Sequence, residues 1–318
     1  MSGAPVVAVT GATGFLGLHL VAALAREGAV IRILTRGRTE HEMWRGLAFE
    51  AVRGSLEDAQ ALEQLVAGAD AVVHAAGLIK APNRAAFLRA NQGGTRAVAQ
   101  SARRHAPDAR FIAISSLAAR EPQLSDYAAS KRAGEEAARA AYGAAPERLV
   151  IVRPPAIYGP WDRETLAIFK AAAQPVVPLF GSGRAAVIHV ADASAAIARL
   201  ACQDLGGAGL YALADPNPDG YTMAEIVNEA AHAMGTKPRL MRVPDRVLLA
   251  AGSLSSLWGQ ARGRAPIFTA GKAREMLHPD WSVAPDEALP PSIHQAKIGL
   301  AEGFGETAAW YKAAGWLR

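Results

Sequence analysis

Tyr127-Ala128-Ala129-Ser130-Lys131 sets a phenol and an ammonium four positions apart. On a helix that spacing turns both side chains to one face, and Ser125 or Asp126 is suited to cap such a helix. Eleven residues before Tyr127, Ser115-Ser116 closes an apolar run, Arg110-Phe111-Ile112-Ala113-Ile114, that reads as a strand. Serine, tyrosine and lysine together suit proton transfer on a carbonyl/alcohol pair. A carbonyl carbon that accepts hydride leaves an oxygen in need of a proton. A free phenol, with a pKa of about 10, is a poor donor or base at neutral pH. A neighbouring ammonium stabilises the phenolate and lowers that value. A serine hydroxyl polarises the carbonyl and holds it in place. Tyr127 is thus the candidate general acid/base and Lys131 the residue that tunes it. One of the two serines is the oxyanion donor.

These groups need a scaffold that brings strand ends together, and one stretch supplies its centre. Pro5-Val6-Val7-Ala8-Val9 reads as a buried strand and His19 to Glu27 as a helix. Between them lies Thr10-Gly11-Ala12-Thr13-Gly14-Phe15-Leu16-Gly17. Gly11 turns the chain sharply, Gly14 lets a pyrophosphate approach the backbone, and Gly17 lets helix and strand pack closely. The helix N-terminus then offers N–H groups and the positive end of its dipole to phosphates. The spacing is G-x-x-G-x-x-G, not G-x-G-x-x-G.

This turn resembles the signature of the extended short-chain dehydrogenase/reductase superfamily, the NAD-dependent epimerase/dehydratase family. The resemblance implies a doubly wound parallel sheet of Rossmann type in an α/β fold, with a smaller, interleaved substrate lobe. It implies cofactor contacts from Gly11, Thr13, Gly14, Phe15, Leu16 and Gly17. Strand Val30–Leu34 ends in Thr35-Arg36-Gly37-Arg38, without the acid that would bind the 2′-hydroxyl of NAD. Arg36 and Arg38 suit a 2′-phosphate, so NADP(H) is the favoured cofactor and NAD(H) the alternative. Gly54-Ser55-Leu56 stands where relatives carry Gly-Asp-Leu, leaving Leu56 as the adenine contact. Val72 to Gly77 resembles the family's VxHxAA strand end, with Ala75, Ala76 and Gly77 beside the cofactor. His74 in that strand reads as a packing residue, and no metal site is expected. Within a helix expected over Phe87–Arg104, Asn91 resembles the asparagine of NxxGT, which orders the site beneath the nicotinamide. Of the serine pair, the resemblance selects Ser116, and it adds ribose binding to the role of Lys131. Arg153 to Pro160 resembles RPxNVYGP, with Pro154 bounding the nicotinamide.

The same resemblance carries departures. Ala156 replaces the motif's asparagine, and Ala185-Ala186 stand where nucleotide-sugar enzymes carry Arg-Asp, with Arg184 one residue earlier. The tyrosine-glycine pair usual between the serine and the catalytic tyrosine is missing. These changes point away from a sugar nucleotide and towards a less polar substrate, such as a small ketone or a sterol-like alcohol. His189 and Asp192 read as structural. Thr222 with Glu225 forms a capping pattern, and residues 244–262 an apolar helix of the core or a lid. The expected division is a cofactor domain over 1–160 plus about 186–214, and a substrate lobe over about 161–185 and 215–318.

The 318 residues carry a net charge of +5, with 51% hydrophobic and 20% charged residues, which describes a folded chain and not a disordered one. No basic run with interleaved aromatics argues for nucleic acid. The single cysteine, Cys202, excludes an internal disulfide. Val247 to Trp258 is too short to span a bilayer, and the first strand leaves no room for a signal peptide, so a cytoplasmic location is the expectation. The reading is an NADP(H)-dependent oxidoreductase acting on a small-molecule carbonyl or alcohol. An epimerase or dehydratase using the same transient oxidation is the enzymatic alternative, and a non-catalytic NADP(H)-binding accessory or sensor protein the alternative of another class. A homodimer is expected from the resemblance alone.

Overall fold

A computed structural model of the chain describes residues 3–37, 39–203, 208–261 and 268–317, side chains of 256–261 excepted. The chain divides into two compact units, one of Met1–Arg153, Ser194–Tyr211 and Leu289–Gln295, the other of Pro154–Ala193, Ala212–Ala288 and Ala296–Arg318.

The first unit is built on seven strands: β1 (Val6–Thr10), β2 (Val30–Thr35), β3 (Glu50–Arg53), β4 (Ala71–His74), β5 (Arg110–Ile114), β6 (Leu149–Arg153) and β7 (Gly209–Ala212). Their order in the sheet is β7-β6-β5-β4-β1-β2-β3. Every pairing among β1 to β6 is parallel. The near-continuous Val, Ile and Ala of these strands is what a sheet covered on both faces requires. Helices α1 (Phe15–Arg26), α2 (Ala59–Val66), α3 (Gly94–His105), α4 (Asp126–Ala141) and α5 (Val190–Cys202) connect them. The strand order reverses between β1 and β4, the point where open α/β sheets bind ligands at their carboxyl ends.

Helix α1 begins at Phe15 and not at His19, because Gly14 in extended conformation is its N-cap. The helix expected over Phe87–Arg104 is interrupted. A helical turn, Arg84–Phe87, passes through a π-helical segment, Leu88–Gly93, into α3. The core on one side of the sheet gathers Leu62, Leu65, Val98, Phe111, Tyr142 and Ile151, with Phe111 and Tyr142 stacked at 5.3 Å. Two strand arginines finish helices: Arg32 donates to the carbonyls of Gln64 and Leu65 in the last turn of α2 and of Ala67 just past it. Arg110 does the same for Leu200 and Gln203 at the end of α5. Cys202, the last residue of α5, has its thiol pushed up to about 11 by burial and by the charge of Glu27.

In the second unit strand Val187–His189 pairs in parallel with Ala156–Tyr158; the strand that returns to the first unit's sheet after residue 186 is β7. Helices α6 (Met223–Met234), α7 (Asp245–Ala261), α8 (Ala270–Leu277) and α9 (Leu300–Ala313) follow. Thr222 and Glu225 form the expected capping box on α6. Phe169, Phe304 and Tyr311 are fully buried in this unit's core. Asp192 accepts the backbone N–H groups of Lys297 and Ile298, both at 2.9 Å, a structural use. The apolar helix is not a core element along its length. Leu248 is buried, but Val247, Leu249 and Leu254 are exposed, and the side chains of Leu257 and Trp258 lie outside the described residues.

Candidate active site

At the end of β1 the backbone of Gly11 has φ +76°, and a Cβ there would lie 2.5 Å from Ala76 N and 2.7 Å from the Ala75 carbonyl carbon. Gly11 therefore meets both requirements that favour glycine, a left-handed backbone and close approach of a second chain segment. A Cβ on Gly17 would strike the carbonyl oxygen of Gly11. Gly14 differs: its φ is an ordinary −80°, and a Cβ there would meet only the Gly11 oxygen, at 3.3 Å. Gly14 and Thr13 are exposed, Phe15 and Leu16 half-buried. Helix α1 starts here with no side-chain cap and no acid in its first turn. A concave turn of backbone, unfilled at Gly14 and facing the positive end of a helix, fits a pyrophosphate.

The loop after β4 is fastened to this turn. Thr10 Oγ1 lies 2.8 Å from His74 Nδ1, and the Ala76 N–H reaches the same oxygen at 3.4 Å. His74 is buried and stacks on Phe111 at 6.3 Å. Burial, then the charge of Lys131, lowers its pKa to about 3, so it stays neutral and serves as packing.

Asn91, in the π-helical segment, holds the loop from the other side. Its Oδ1 accepts the Leu78 N–H at 2.8 Å, and its Nδ2 donates to Leu78 O at 3.0 Å and to Ser130 Oγ at 2.8 Å. Ser130 in turn donates to Tyr127 O at 2.7 Å. Both amide hydrogens are taken, so Asn91 positions the Ala75-Ala76-Gly77 loop against α4. A Cβ on Gly77 would lie 2.9 Å from Asn91 Oδ1 and 3.7 Å from Lys131 Nζ. Glycine here keeps the lysine's head against the loop.

Tyr127 and Lys131 occupy the first two turns of α4, with Ser125 as its N-cap. Both are half-buried, and the Tyr127 ring lies 6.1 Å from that of Phe87. Lys131 Nζ donates to Ile114 O at 2.6 Å, at the carboxyl end of β5. Burial lowers its pKa to about 8, against the opposing charge of Glu135. The two serines after β5 are distinct. Ser115 is buried and donates to Glu135 Oε1 at 2.6 Å. Ser116 is half-buried and caps the short turn Leu117–Arg120, accepting from Ala118 N at 3.2 Å. Arg132 Nε donates to Ala119 O at 2.8 Å and straps that turn to α4. Ser116, Tyr127 and Lys131 are thereby carried on two elements tied together at the end of β5.

Glu135 stands in no motif of the sequence, and Arg153 opens the RPxNVYGP stretch without naming its partner. Glu135 continues the face of Tyr127 and Lys131 at the next four-residue step, and that periodicity is the signal that could have found it. Arg36 is exposed just past β2, and Arg38 lies outside the described residues. Leu56 packs against Gly94, where a Cβ would meet its Cδ1 at 2.7 Å. Pro154 comes directly after β6 and opens the second unit. Leu78 and Ile79, the residues after Gly77, are exposed apolar side chains, Ile79 at 60%.

Residues 7–210 match the NAD dependent epimerase/dehydratase family. The chain belongs to that family. Epimerase/dehydratase-family chains are extended short-chain dehydrogenases/reductases, and this one is an enzyme of that type. It is 51% identical over 314 residues to the ceramide reductase of Caulobacter vibrioides, covering 98% of this chain and 96% of that one. Among solved structures it is similar to gox2253, with a TM-score of 0.79, 20% identity and coverage of 99% and 100% of the two chains. It is also similar to the Bordetella bronchiseptica enzyme WbmH in complex with NAD+, with a TM-score of 0.72, 20% identity and coverage of 98% and 100%. These likenesses establish the family's fold over the length of the chain. Among the described residues no helix is long and apolar enough to cross a membrane.

Proposed function

We propose that this enzyme is an NADP(H)-dependent reductase of a ketone carried on a ceramide-type lipid. The observation that carries the reading is the position of the Lys131 ammonium. It stands on Ile114 O at 2.6 Å, at the strand end that bears Ser116 and one helical turn beyond Tyr127. Bound nicotinamide supplies the hydride. Ser116 then holds the carbonyl oxygen, Tyr127 delivers a proton to it as it becomes an alkoxide, and Lys131 keeps the phenol acidic enough to do so. The glycine turn and α1 would hold the pyrophosphate, and Arg36 a 2′-phosphate. The lipid assignment is supported by the ceramide reductase relative. It is also supported by the apolar rim that Leu78 and Ile79 place beside Gly77, and by alanines at 156, 185 and 186 where sugar-nucleotide enzymes use polar residues.

The test is NADPH oxidation by the purified protein with a long-chain ketone-bearing amide lipid in detergent. Turnover with NADPH, a rate at least tenfold lower with NADH, and loss of turnover in Tyr127→Phe are expected. Turnover unchanged in Tyr127→Phe overturns the proton role. A chain that binds NAD(H) without releasing it and oxidises no external NADPH is working as an epimerase or dehydratase.

A further inference from the structure

The stretch that leads into and past α7 is one of two strongly basic parts of this chain. From Lys237 to Glu275 the sequence holds eight lysines and arginines against two acids, Asp245 and Glu275. Lys237, Arg239, Arg242 and Arg246 are all exposed.

The same stretch exposes apolar side chains. Within Asp245–Ser255 of α7, Leu248 and Gly252 are the buried positions, four residues apart. A Cβ on Gly252 would lie 2.9 Å from Thr269 O, so this narrow stripe is the helix's seat on the segment leading into α8. A second stripe, Val247, Ala250, Ala251 and Leu254, keeps the i, i+3, i+4, i+7 rule of an apolar helix face. All four are exposed, Val247 at 48% and Leu254 at 68%. The strand Arg239–Arg242, which runs into α7, adds Met241 at 50% exposure beside its arginines. Asp245, the acid at the head of the helix, accepts the Gly181 N–H at 2.8 Å.

An apolar helix face costs free energy in water and marks a contact surface when it is continuous. An anionic lipid surface asks for what is here, apolar side chains to enter the acyl boundary and lysines and arginines to meet the headgroups. We propose that α7 and the preceding strand dock this enzyme on the surface of an anionic bilayer. It lies on the membrane by the face of Val247 and Leu254, flanked by Arg239, Arg242 and Arg246. None of the catalytic residues takes part, and the docking is independent of the choice of substrate.

The experiment is flotation of the full chain with vesicles of phosphatidylcholine alone or with phosphatidylglycerol added. The wild type is expected to float with the anionic vesicles about tenfold or more above the neutral ones, and to be released by salt. Val247→Glu with Leu254→Glu is expected to abolish flotation. Arg239→Gln, Arg242→Gln and Arg246→Gln together are expected to remove the preference for phosphatidylglycerol. All these positions are exposed, and unchanged thermal melting and NADPH titration report that the variants are folded. A wild type that stays with neither vesicle, or a double glutamate variant that floats as the wild type does, overturns the proposal. So does a wild-type dimer that the glutamates split while no form floats, because the face then seats a second copy of the chain.

Discussion

Arg153 meets the carboxylate of Glu135 side-on, Nε to Oε1 and Nη2 to Oε2, both at 2.8 Å, with both side chains buried. The pair joins the end of β6 to the middle of α4, and Ser115 adds a third hydrogen bond from the end of β5. One carboxylate thus fixes three pieces of the chain. The residue one helical turn before it is Lys131. A bidentate arginine-carboxylate pair is the geometry in which buried charges are well compensated, and breaking it by removing one partner strands the other.

Glu135→Ala is expected to lower stability by about 3–5 kcal/mol, the usual cost of orphaning a buried charge, as measured by urea unfolding. Burial pulls the Glu135 carboxyl upward, but hydrogen bonds from Arg153 and Ser115 and the charges of Arg153 and Arg139 outweigh it and hold the group below its usual value. A depressed carboxylate stabilises fully above its unfolded value of about 4.5 and loses that contribution as pH falls through the folded value. Wild-type stability therefore drops steeply below about pH 4.5, and Glu135→Gln flattens that part of the curve.

Lys131 makes a second pH-dependent feature. Its folded pKa is about 8 against an ordinary 10.5, because burial disfavours the ammonium. Below about 8 the folded protein carries that cost, and between about 8 and 10.5 the unfolded chain binds the extra proton, so stability rises with pH across this window. The reaction runs the other way. Carbonyl reduction is expected to fall as pH passes about 8, since a neutral amine no longer supports the Tyr127 phenol. Urea unfolding against pH checks the stability limb and a pH–rate profile the other, and Lys131→Met is expected to lack the break near 8.

On the proposed mechanism the adjacent serines separate structure from chemistry. Ser115→Ala removes a hydrogen bond to a buried charge and is expected to cost about 1.5–3 kcal/mol in stability. Ser116→Ala is expected to lower kcat by roughly 10²-fold with a small change in melting temperature. Reversed effects would exchange the two roles.

The glycines of the first turn divide in the same manner. Gly11→Ala forces a side chain into a left-handed backbone, at about 1–2 kcal/mol, and drives it onto Ala75-Ala76. A lower melting temperature is expected. Gly14→Ala meets only one oxygen, at 3.3 Å. It is expected to melt near the wild type while weakening NADPH binding about tenfold or more, or 1.4 kcal/mol, by filling the phosphate's place. Titration and thermal melting on the two variants check this split.

The parts legible in the sequence are those whose partners are close along the chain. The glycine spacing, the Tyr127–Lys131 step and the capping box of Thr222 are local patterns, and each has a local physical cause. Glu135 with Arg153 joins residues 18 apart on a helix and a strand, and neither sequence neighbourhood names the other. Asn91 is legible as a residue of the site but not as the bracket between Leu78 and Ser130, because those bonds depend on how three elements meet. Helix α7 misleads for another reason. An apolar period shows that a face exists, and only packing shows whether the protein or something else covers it.

The π-helical segment Leu88–Gly93 makes chain length a working part of the enzyme. A π turn accommodates one residue more than an α turn, and each residue added or removed in a helix rotates the remainder of that helix by about 100°. Deleting one residue between Leu88 and Gly93 would let the segment relax into regular helix. The deletion would also change the azimuth of Asn91 relative to α3, uncoupling Leu78 from Ser130. Point substitutions along Arg84–His105 are therefore cheap where they face solvent, while a single deletion is costly wherever it falls in the π turn. The segment acts as a gauge whose count of residues, more than their identity, keeps the loop and α4 in phase.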